Sequence, residues 1–106
     1  MDNKLYNIGF ITEDRVELYD SNLLTDAQKA LINYARSFGC KWIAKDYSDG
    51  ETHIFRNKPI LINNRYITVW SPADDMYIHL KHDFSLLTGE EIYPLYIGDD
   101  IYGEVK

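Results

Sequence analysis

The residues best suited to chemistry in this 106-residue chain are three histidines and one cysteine. His79, His82 and Asp83 are close enough along the chain to suggest metal ligands. In a strand, however, positions i and i+3 point to opposite faces, and no third ligand or cysteine pair has the spacing of a zinc site. The sequence therefore predicts surface histidines, with no metal and no cofactor.

Cys40 follows a predicted helix C-terminus, where the helix dipole raises the pKa of a thiol, so a buried and inert cysteine is expected. A single cysteine cannot form an internal disulfide and fits a reducing compartment. The chain has no nucleophile-elbow motif, no glycine-rich phosphate loop and no paired-carboxylate motif. Its neighbouring acids, such as Asp74-Asp75, are typical of solvated turns. We expect no enzymatic activity.

Basic and aromatic residues are interleaved between positions 36 and 66. This segment contains six basic and three acidic residues. Such a surface can bind a nucleic-acid strand through phosphate contacts and base stacking. The candidate contacts are Lys41, Lys45, Tyr47, Arg56, Lys58 and Arg65. The alternative is a solvated outer face with Trp42 in the core, which the formal net charge of −6 favours.

Acidic residues dominate the end of the chain, where residues 83–106 contain six acids and one base. Carboxylates at i and i+2 of a strand lie about 6.5 Å apart, close to the phosphate spacing of nucleic acid. Such a segment can occupy the basic groove of another protein, with tyrosines as anchors. The candidate partner-binding residues are Glu90, Glu91, Tyr93, Tyr96, Asp99, Asp100, Tyr102 and Glu104. The alternative is an acidic surface that serves solubility.

The length and the apolar fraction of 45% predict a single domain, residues 1–106. We expect an α+β fold, in which one amphipathic helix at about 25–38 packs on a mostly antiparallel β-sheet. Thr25 and Gln28 predict a capping box, and Gly39 a left-handed C-terminal cap. An apolar stripe predicts the buried face of the helix. It consists of Ala27, Ala30, Leu31, Tyr34, Ala35 and Phe38.

Residues 40–70 predict a run of antiparallel strands with reversals at Asp49-Gly50 and Asn63-Asn64. Lys58-Pro59 interrupts the ladder between them. If Asp49-Gly50 is a two-residue loop, Trp42 lies opposite Asn57 and Ala44 opposite Phe55. One face then buries Trp42, Ala44 and Phe55, whereas the other is mixed and faces solvent or a partner. The mixed face consists of Ile43, Lys45, Tyr47, Ile54 and Arg56.

Further strands are predicted at 5–11, 16–19 and 76–80, and a helical turn at 83–91. Residues 92–97 and 101–105 suggest a last hairpin, whose first strand Pro94 confines to a sheet edge. Gly9 weakens the first strand or marks a bulge. No apolar run approaches the roughly 20 residues of a membrane span, and the first residues lack the pattern of a signal peptide. A cytoplasmic protein is expected.

The pattern Trp42-Ile43-Ala44-Lys45-Asp46, Asp49-Gly50, Ile54-Phe55, Lys58-Pro59 and Trp70 resembles a small module in uncharacterised proteins of phages and prophages of low-GC Gram-positive bacteria. The resemblance covers about residues 40–84, and Lys45 replaces the commoner arginine. It implies a mobile-element protein that acts in a bacterial host cell, and no binding residues are transferred from it. Small acidic proteins of that origin are often inhibitors of host nucleases or defence systems, including anti-CRISPR proteins.

Two functions follow as expectations. The first is a non-enzymatic phage or prophage protein whose acidic, tyrosine-rich surface inhibits a host nucleic-acid-handling or defence complex, such as a CRISPR effector. Its partner would be a host protein with a basic nucleic-acid-binding surface. For this function we expect the chain to contact neither a membrane nor nucleic acid directly. The alternative is a small nucleic-acid-binding protein that uses the basic and aromatic surface at 36–66.

Overall fold

The computed structural model describes residues 8–65, 68–72, 77–80, 87–98 and 100–101; of Ser21, Thr68 and 77–80 it describes the backbone alone. Within these residues the chain forms one α-helix, α1 (Asp26–Ser37), and two antiparallel sheets. The strands are β1 (Gly9–Ile11), β2 (Val16–Leu18), β3 (Trp42–Lys45), β4 (Thr52–Phe55), β5 (Ile60–Asn63), β6 (Thr68–Ser71), β7 (Tyr77–Leu80) and β8 (Leu95–Tyr96). The larger sheet has the order β2-β1-β8-β3-β4-β7, and β5 pairs with β6 alone. The α+β prediction is confirmed.

The ends of α1 follow the predicted capping signals. The Thr25 side chain accepts a hydrogen bond from Gln28 N–H, and the Gln28 side chain accepts one from Thr25 N–H. Gly39 has φ +77°, a left-handed conformation that glycine adopts without steric cost. Both caps satisfy backbone groups that an isolated helix leaves unpaired.

The buried face of α1 differs from the predicted stripe. Ile32 and Ala35 are buried, whereas Tyr34 and Phe38 are 49% and 51% exposed. Leu31 is only partly buried against the core. Apolar residues extend around more than half of this helix, so periodicity alone did not identify the side that meets the sheet.

Each face of the larger sheet carries its own core. The helix-covered face buries aliphatic residues of α1, β3, β4 and β8, among them Ile32, Ile43, Ile54 and Leu95. The hairpin-covered face buries Trp42, Ala44, Phe55, Trp70 and Tyr96, with β5 and β6 packed against it through Trp70 and Leu61. The prediction that Ile43 and Ile54 belong to a mixed outer surface is therefore wrong, because α1 covers them.

The β3–β4 hairpin reverses where the sequence predicted, but its register is shifted by two residues. Trp42 pairs with Phe55, and Ala44 with His53. Asp46 N–H donates to Glu51 O and Gly50 N–H donates to Asp46 O, so the loop is longer than two residues. An even shift preserves the alternation of faces, which is why Trp42, Ala44 and Phe55 still share one face as predicted.

Strand β8 was predicted to lie at an edge of the sheet, and this prediction is wrong. Leu95 and Tyr96 pair with β1 on one side and with β3 on the other, so this strand lies inside the sheet. Pro94 immediately precedes the strand and removes no donor from its ladder. Residues 87–91 are not helical. The remaining parts of the predicted turn and last hairpin, 83–86 and 102–105, lie outside the described residues.

Glycine at position 9 allows β1 and β2 to approach each other closely, and it does not mark a bulge. It pairs regularly with Leu18 in β2. A Cβ atom at position 9 would collide with the backbone of Glu17 and Leu18. Pro59 acts as predicted, since β4 ends at Phe55 and the chain leaves the larger sheet before β5 begins at Ile60.

Candidate functional site

A solvent-open groove of about 570 Å³ lies where β3 begins and β4 ends. Its described lining comprises Ile11, Gly39, Lys41, Trp42, Arg56, Asn57 and Lys58. Three of these side chains are cationic and, among the described lining residues, none is acidic. We call this feature the basic groove. Its volume is within the range of sites that hold a small ligand or a short piece of a chain.

The backbone around the groove is fixed by the larger sheet. Lys41 N–H donates to Phe55 O, and Lys41 O accepts from Ile97 N–H at 2.7 Å. Lys41 is thus held between the ends of β4 and β8. On the neighbouring helix, Arg36 Nε donates to Ile97 O at 2.5 Å. These contacts connect α1, β3, β4 and β8 at the rim of the groove and preorganise its floor.

The cations are placed around a buried aromatic ring. Trp42 is only 5% exposed and its ring packs edge-on against Tyr96, with 4.9 Å between the centroids. Lys58 Nζ lies 5.9 Å from the centroid of the Trp42 ring, within cation–π range. The ring therefore supports the Lys58 ammonium and does not offer an open face to a nucleobase.

Arg56 extends the positive charge towards the end of α1. Its Nε would lie 3.8 Å from a Cβ atom built at Gly39, so the guanidinium is close to the helix C-terminus. Burial raises the pKa of the Cys40 thiol, and the Arg56 charge opposes that shift. Cys40 is buried as predicted, although burial replaces the helix dipole as the main cause of the raised pKa.

The predicted nucleic-acid contacts are divided by the fold. Lys41, Arg56 and Lys58 line the groove together. Lys45 ends β3, and its Nζ donates to Leu87 O on the helix-covered side. Tyr47 is 61% exposed in the β3–β4 loop, and Arg65 is exposed in the turn after β5. The structure thus brings half of the predicted set to one site.

The predicted acidic partner surface is also divided. Tyr96 is 1% exposed and belongs to the core of the hairpin-covered face. The Glu91 carboxylate accepts hydrogen bonds from Thr88 N–H, Thr88 Oγ1 and Gly89 N–H. Glu90 and Asp100 are exposed, and Tyr93 is half-buried. Asp99, Tyr102 and Glu104 lie outside the described residues.

A second polar feature was not predicted, a buried pair between the β3–β4 loop and β4. Asp46 Oδ1 accepts a 2.8 Å hydrogen bond from Trp70 N–H in β6. Asp46 Oδ2 lies 3.9 Å from His53 Nδ1. Burial raises the pKa of Asp46, and the hydrogen bond from Trp70 opposes the shift. The pair joins the larger sheet to the β5–β6 hairpin, a relation between residues 46 and 70 that no local pattern reveals.

Among the described residues, no helix has the length and apolar character needed to cross a bilayer. Within that same part of the chain, no group of three His, Cys, Asp or Glu side chains is arranged to hold a metal ion. Comparison of the chain with family models, curated proteins and solved structures gives no match. The functional argument therefore depends on the chemistry of these two features.

Proposed function

We propose that this chain is a binding protein that holds the phosphate backbone of a nucleic-acid strand in the basic groove. One observation carries the proposal: Lys41, Arg56 and Lys58, from three separate positions in the chain, converge on one open groove whose described lining contains no acid. Phosphate oxygens are the ligands that lysine and arginine side chains bind in nucleic-acid complexes.

The overall charge of −6 does not oppose such a site. Screening at physiological ionic strength limits charge interactions to about 8 Å, so a ligand in the groove responds mainly to the nearby cations. A local basic patch can attract an anion even on an acidic protein. The remaining acidic surface weakens binding at a distance and favours a short contact over a long tract.

The groove favours one strand over a duplex. Its volume of about 570 Å³ suits a small segment of ligand, and its cations are gathered at one end of the sheet. Because Trp42 is buried, base stacking on this ring does not contribute, in contrast to the stacking expected from the sequence. We therefore assign the binding to phosphate contacts, with little dependence on base identity.

Fluorescence anisotropy with labelled single- and double-stranded DNA and RNA, measured over a salt series, tests this function. The expected result is binding to single strands that weakens as salt rises. Replacing both Arg56 and Lys58 with glutamine removes two phosphate contacts and should reduce the slope of log affinity against log salt by about 1.4, at about 0.7 per contact.

The control is Arg15→Gln, which is compared with the single variant Arg56→Gln because each removes one positive charge. Arg15 is an exposed cation in the β1–β2 turn, where it pairs with Glu17 at 2.6 Å, and it is absent from the described groove lining. This variant lowers the net charge without touching the groove and should keep the wild-type salt slope. If the control and Arg56→Gln lose affinity equally, the binding reflects total charge, and the proposed site is wrong.

Inhibition of a host nucleic-acid-handling or defence complex through the acidic surface stays a prediction. Within the described residues that surface retains Glu90, Tyr93 and Asp100 as accessible candidates. Its test is capture of a partner from host lysate, followed by charge reversal with Asp99→Lys and Asp100→Lys. Association that slows and loses salt sensitivity would support the acidic contact, whereas unchanged binding would assign the acids to solubility.

A further inference from the structure

Two aromatic side chains near the end of α1 are open to solvent. Tyr34 and Phe38 are 49% and 51% exposed. They are four residues apart on the helix, and their rings pack edge to face with 5.0 Å between the centroids. Each ring restricts the movement of the other. We call this preformed apolar surface the aromatic pair.

The aromatic pair adjoins the basic groove. Phe38 is the C-cap residue of α1, and the next residue, Gly39, belongs to the groove lining. The Cα atoms of these two residues are therefore about 3.8 Å apart. Arg56 Nε would lie at the same distance, 3.8 Å, from a Cβ atom built at Gly39. Exposed rings and a groove cation thus meet at Gly39.

Arg36 shows which side of α1 the aromatic pair occupies. Its side chain donates to Ile97 O, directly after β8. Residues two apart on a helix lie about 200° apart around its axis, so Tyr34 and Phe38 are on the other side of α1 from Arg36. In the larger sheet β4 and β8 flank β3 on opposite sides, and Arg56 directly follows β4. The aromatic pair is therefore on the flank of α1 nearer to Arg56.

We propose that the aromatic pair stacks with an unpaired base of the strand whose phosphates the basic groove holds. This inference rests on the proposed function and adds the base contact that the buried Trp42 ring cannot make. Proteins that bind single strands combine a positively charged groove with exposed aromatic side chains, and stacking tolerates any base because every base has a π-face. The ligand is therefore single-stranded DNA or RNA, read without regard to sequence.

A second copy of the chain is the alternative cover for the two rings, and charge opposes it. A symmetric dimer brings the same patch of both copies together. Lys41, Arg56 and Lys58 line the groove beside the rings, so such a dimer would place like charges close to each other, which costs binding energy. A nucleic-acid strand instead brings anionic phosphates to the cations and a flat base to the rings.

The test measures fluorescence anisotropy with two labelled single strands of the same length, oligo-dT and a strand made of abasic sites. Both strands have the same number of phosphates, so a difference in affinity reports contacts to bases. The wild type should bind oligo-dT about 5- to 140-fold more tightly, the range for one stacked base. Phe38→Ala should remove this preference and leave the salt slope unchanged, because no phosphate contact is lost. Phe38→Trp keeps an aromatic face and should keep the preference.

Tyr47→Ala is the matched control. Tyr47 is an exposed aromatic residue, 61% exposed, but it follows the end of β3 opposite to the groove. This variant should keep wild-type affinity for both strands. Circular dichroism verifies the fold of every variant, and Tyr34→Ala replaces Phe38→Ala if the latter does not fold.

The outcomes separate this inference from the proposed function. Equal affinity of the wild type for oligo-dT and the abasic strand overturns the stacking and leaves the phosphate site in place, whereas binding to neither strand overturns both. A folded Phe38→Ala variant that keeps the preference for oligo-dT also overturns the stacking. If sedimentation velocity then shows a wild-type dimer that this variant loses, the rings belong to an interface with a second copy.

Discussion

The two faces of the larger sheet differ in composition and in what covers them. The helix-covered face is closed mainly by aliphatic residues from the helix and sheet, such as Ile32, Ile54 and Leu95. The hairpin-covered face is closed by aromatic rings, including Trp42, Phe55 and Trp70. The basic groove includes Trp42 from the aromatic face, and Asp46 contacts Trp70 N–H there. Both faces thus contribute to stability, whereas the basic groove and the Asp46 contact both involve the hairpin-covered face.

The difference has a physical basis. Aliphatic side chains carry no polar atoms, so a helix can cover them completely. The face that the β5–β6 hairpin covers includes aromatic rings and polar groups. The 3.9 Å approach of Asp46 to His53 and the position of Lys58 over the Trp42 ring are both on this side. The hairpin-covered face is therefore the one that carries the polar groups considered for binding.

Adjacent residues of β4 provide the most direct test of this comparison, because Ile54 and Phe55 point to opposite faces and are 0% and 1% exposed. Phe55→Ala should lower the free energy of unfolding by about 3–5 kcal/mol, and Ile54→Ala by about 2–5 kcal/mol. Urea denaturation measures both. The comparison fails if either variant loses less than about 1 kcal/mol, since that face would then not be a real core.

Two substitutions in α1 test which side of this helix packs on the aliphatic face. Ile32 is 1% exposed and Leu31 only partly buried. Ile32→Ala should therefore lower the free energy of unfolding by about 2–5 kcal/mol and Leu31→Ala by distinctly less, although the stripe predicted from the sequence placed Leu31 on the buried face. Thermal and urea unfolding of both variants measure the difference. A larger loss for Leu31→Ala would return the buried face to the stripe predicted from periodicity.

A substitution at Asp46, which joins the larger sheet to the β5–β6 hairpin, should give an intermediate loss of stability. Asp46→Ala leaves the buried Trp70 N–H without its 2.8 Å acceptor, which should cost about 1–3 kcal/mol. Asp46→Asn keeps an acceptor oxygen and serves as the matched control, with a smaller loss. The measurement is urea unfolding, together with amide exchange at Trp70. Equal stability of Asp46→Ala and wild type would show that the hairpin is held without this contact.

These features differ in how far the sequence predicts them. The caps at Thr25, Gln28 and Gly39 are local, so neighbouring residues determine them and they were predicted correctly. The face of α1 was not, because Ile32 and Tyr34 are both apolar and only the sheet decides which is buried. The insertion of β8 between β1 and β3 depends on pairings distant in sequence, and Pro94 misled the prediction.

In the candidate sites, too, the sequence predicts local features and misses contacts between residues that are distant along the chain. Lys41, Arg56 and Lys58 were identified as basic residues near aromatics, because composition reveals charge. Their convergence on one groove, and the separation of Lys45 from it, required the β3–β4 register. The contact of Asp46 with Trp70 and the backbone pairing of His53 with His79 each join residues that are distant in the sequence, so spacing along the chain gave no signal for them.

The smallest expected effect concerns the turn at residues 88–91, which lies between the aliphatic core and the β3–β4 loop. Leu87 belongs to the aliphatic core, and a Cβ at Gly89 would lie 3.4 Å from Asp46 O in the β3–β4 loop. Burial alone would raise the pKa of Glu91, but hydrogen bonds from the backbone N–H groups of Thr88, Glu91 and Gly89 and from the Thr88 hydroxyl outweigh it and lower the pKa. The ionised carboxylate is therefore the form that this turn stabilises.

The sign of the pH effect follows from that lowered pKa. The contribution of Glu91 to stability is present above the pKa of the unfolded chain, about 4.5, and is lost as pH falls through the lower pKa of the folded protein. Glu91→Gln cannot ionise, so it should lower stability at pH 7 by on the order of 1 kcal/mol and approach wild type in acid. Glu90→Gln, at an exposed neighbour, is the control and should change little at either pH. A constant difference between Glu91→Gln and wild type from pH 7 to pH 3 would mean that the charge of Glu91 does not stabilise the turn.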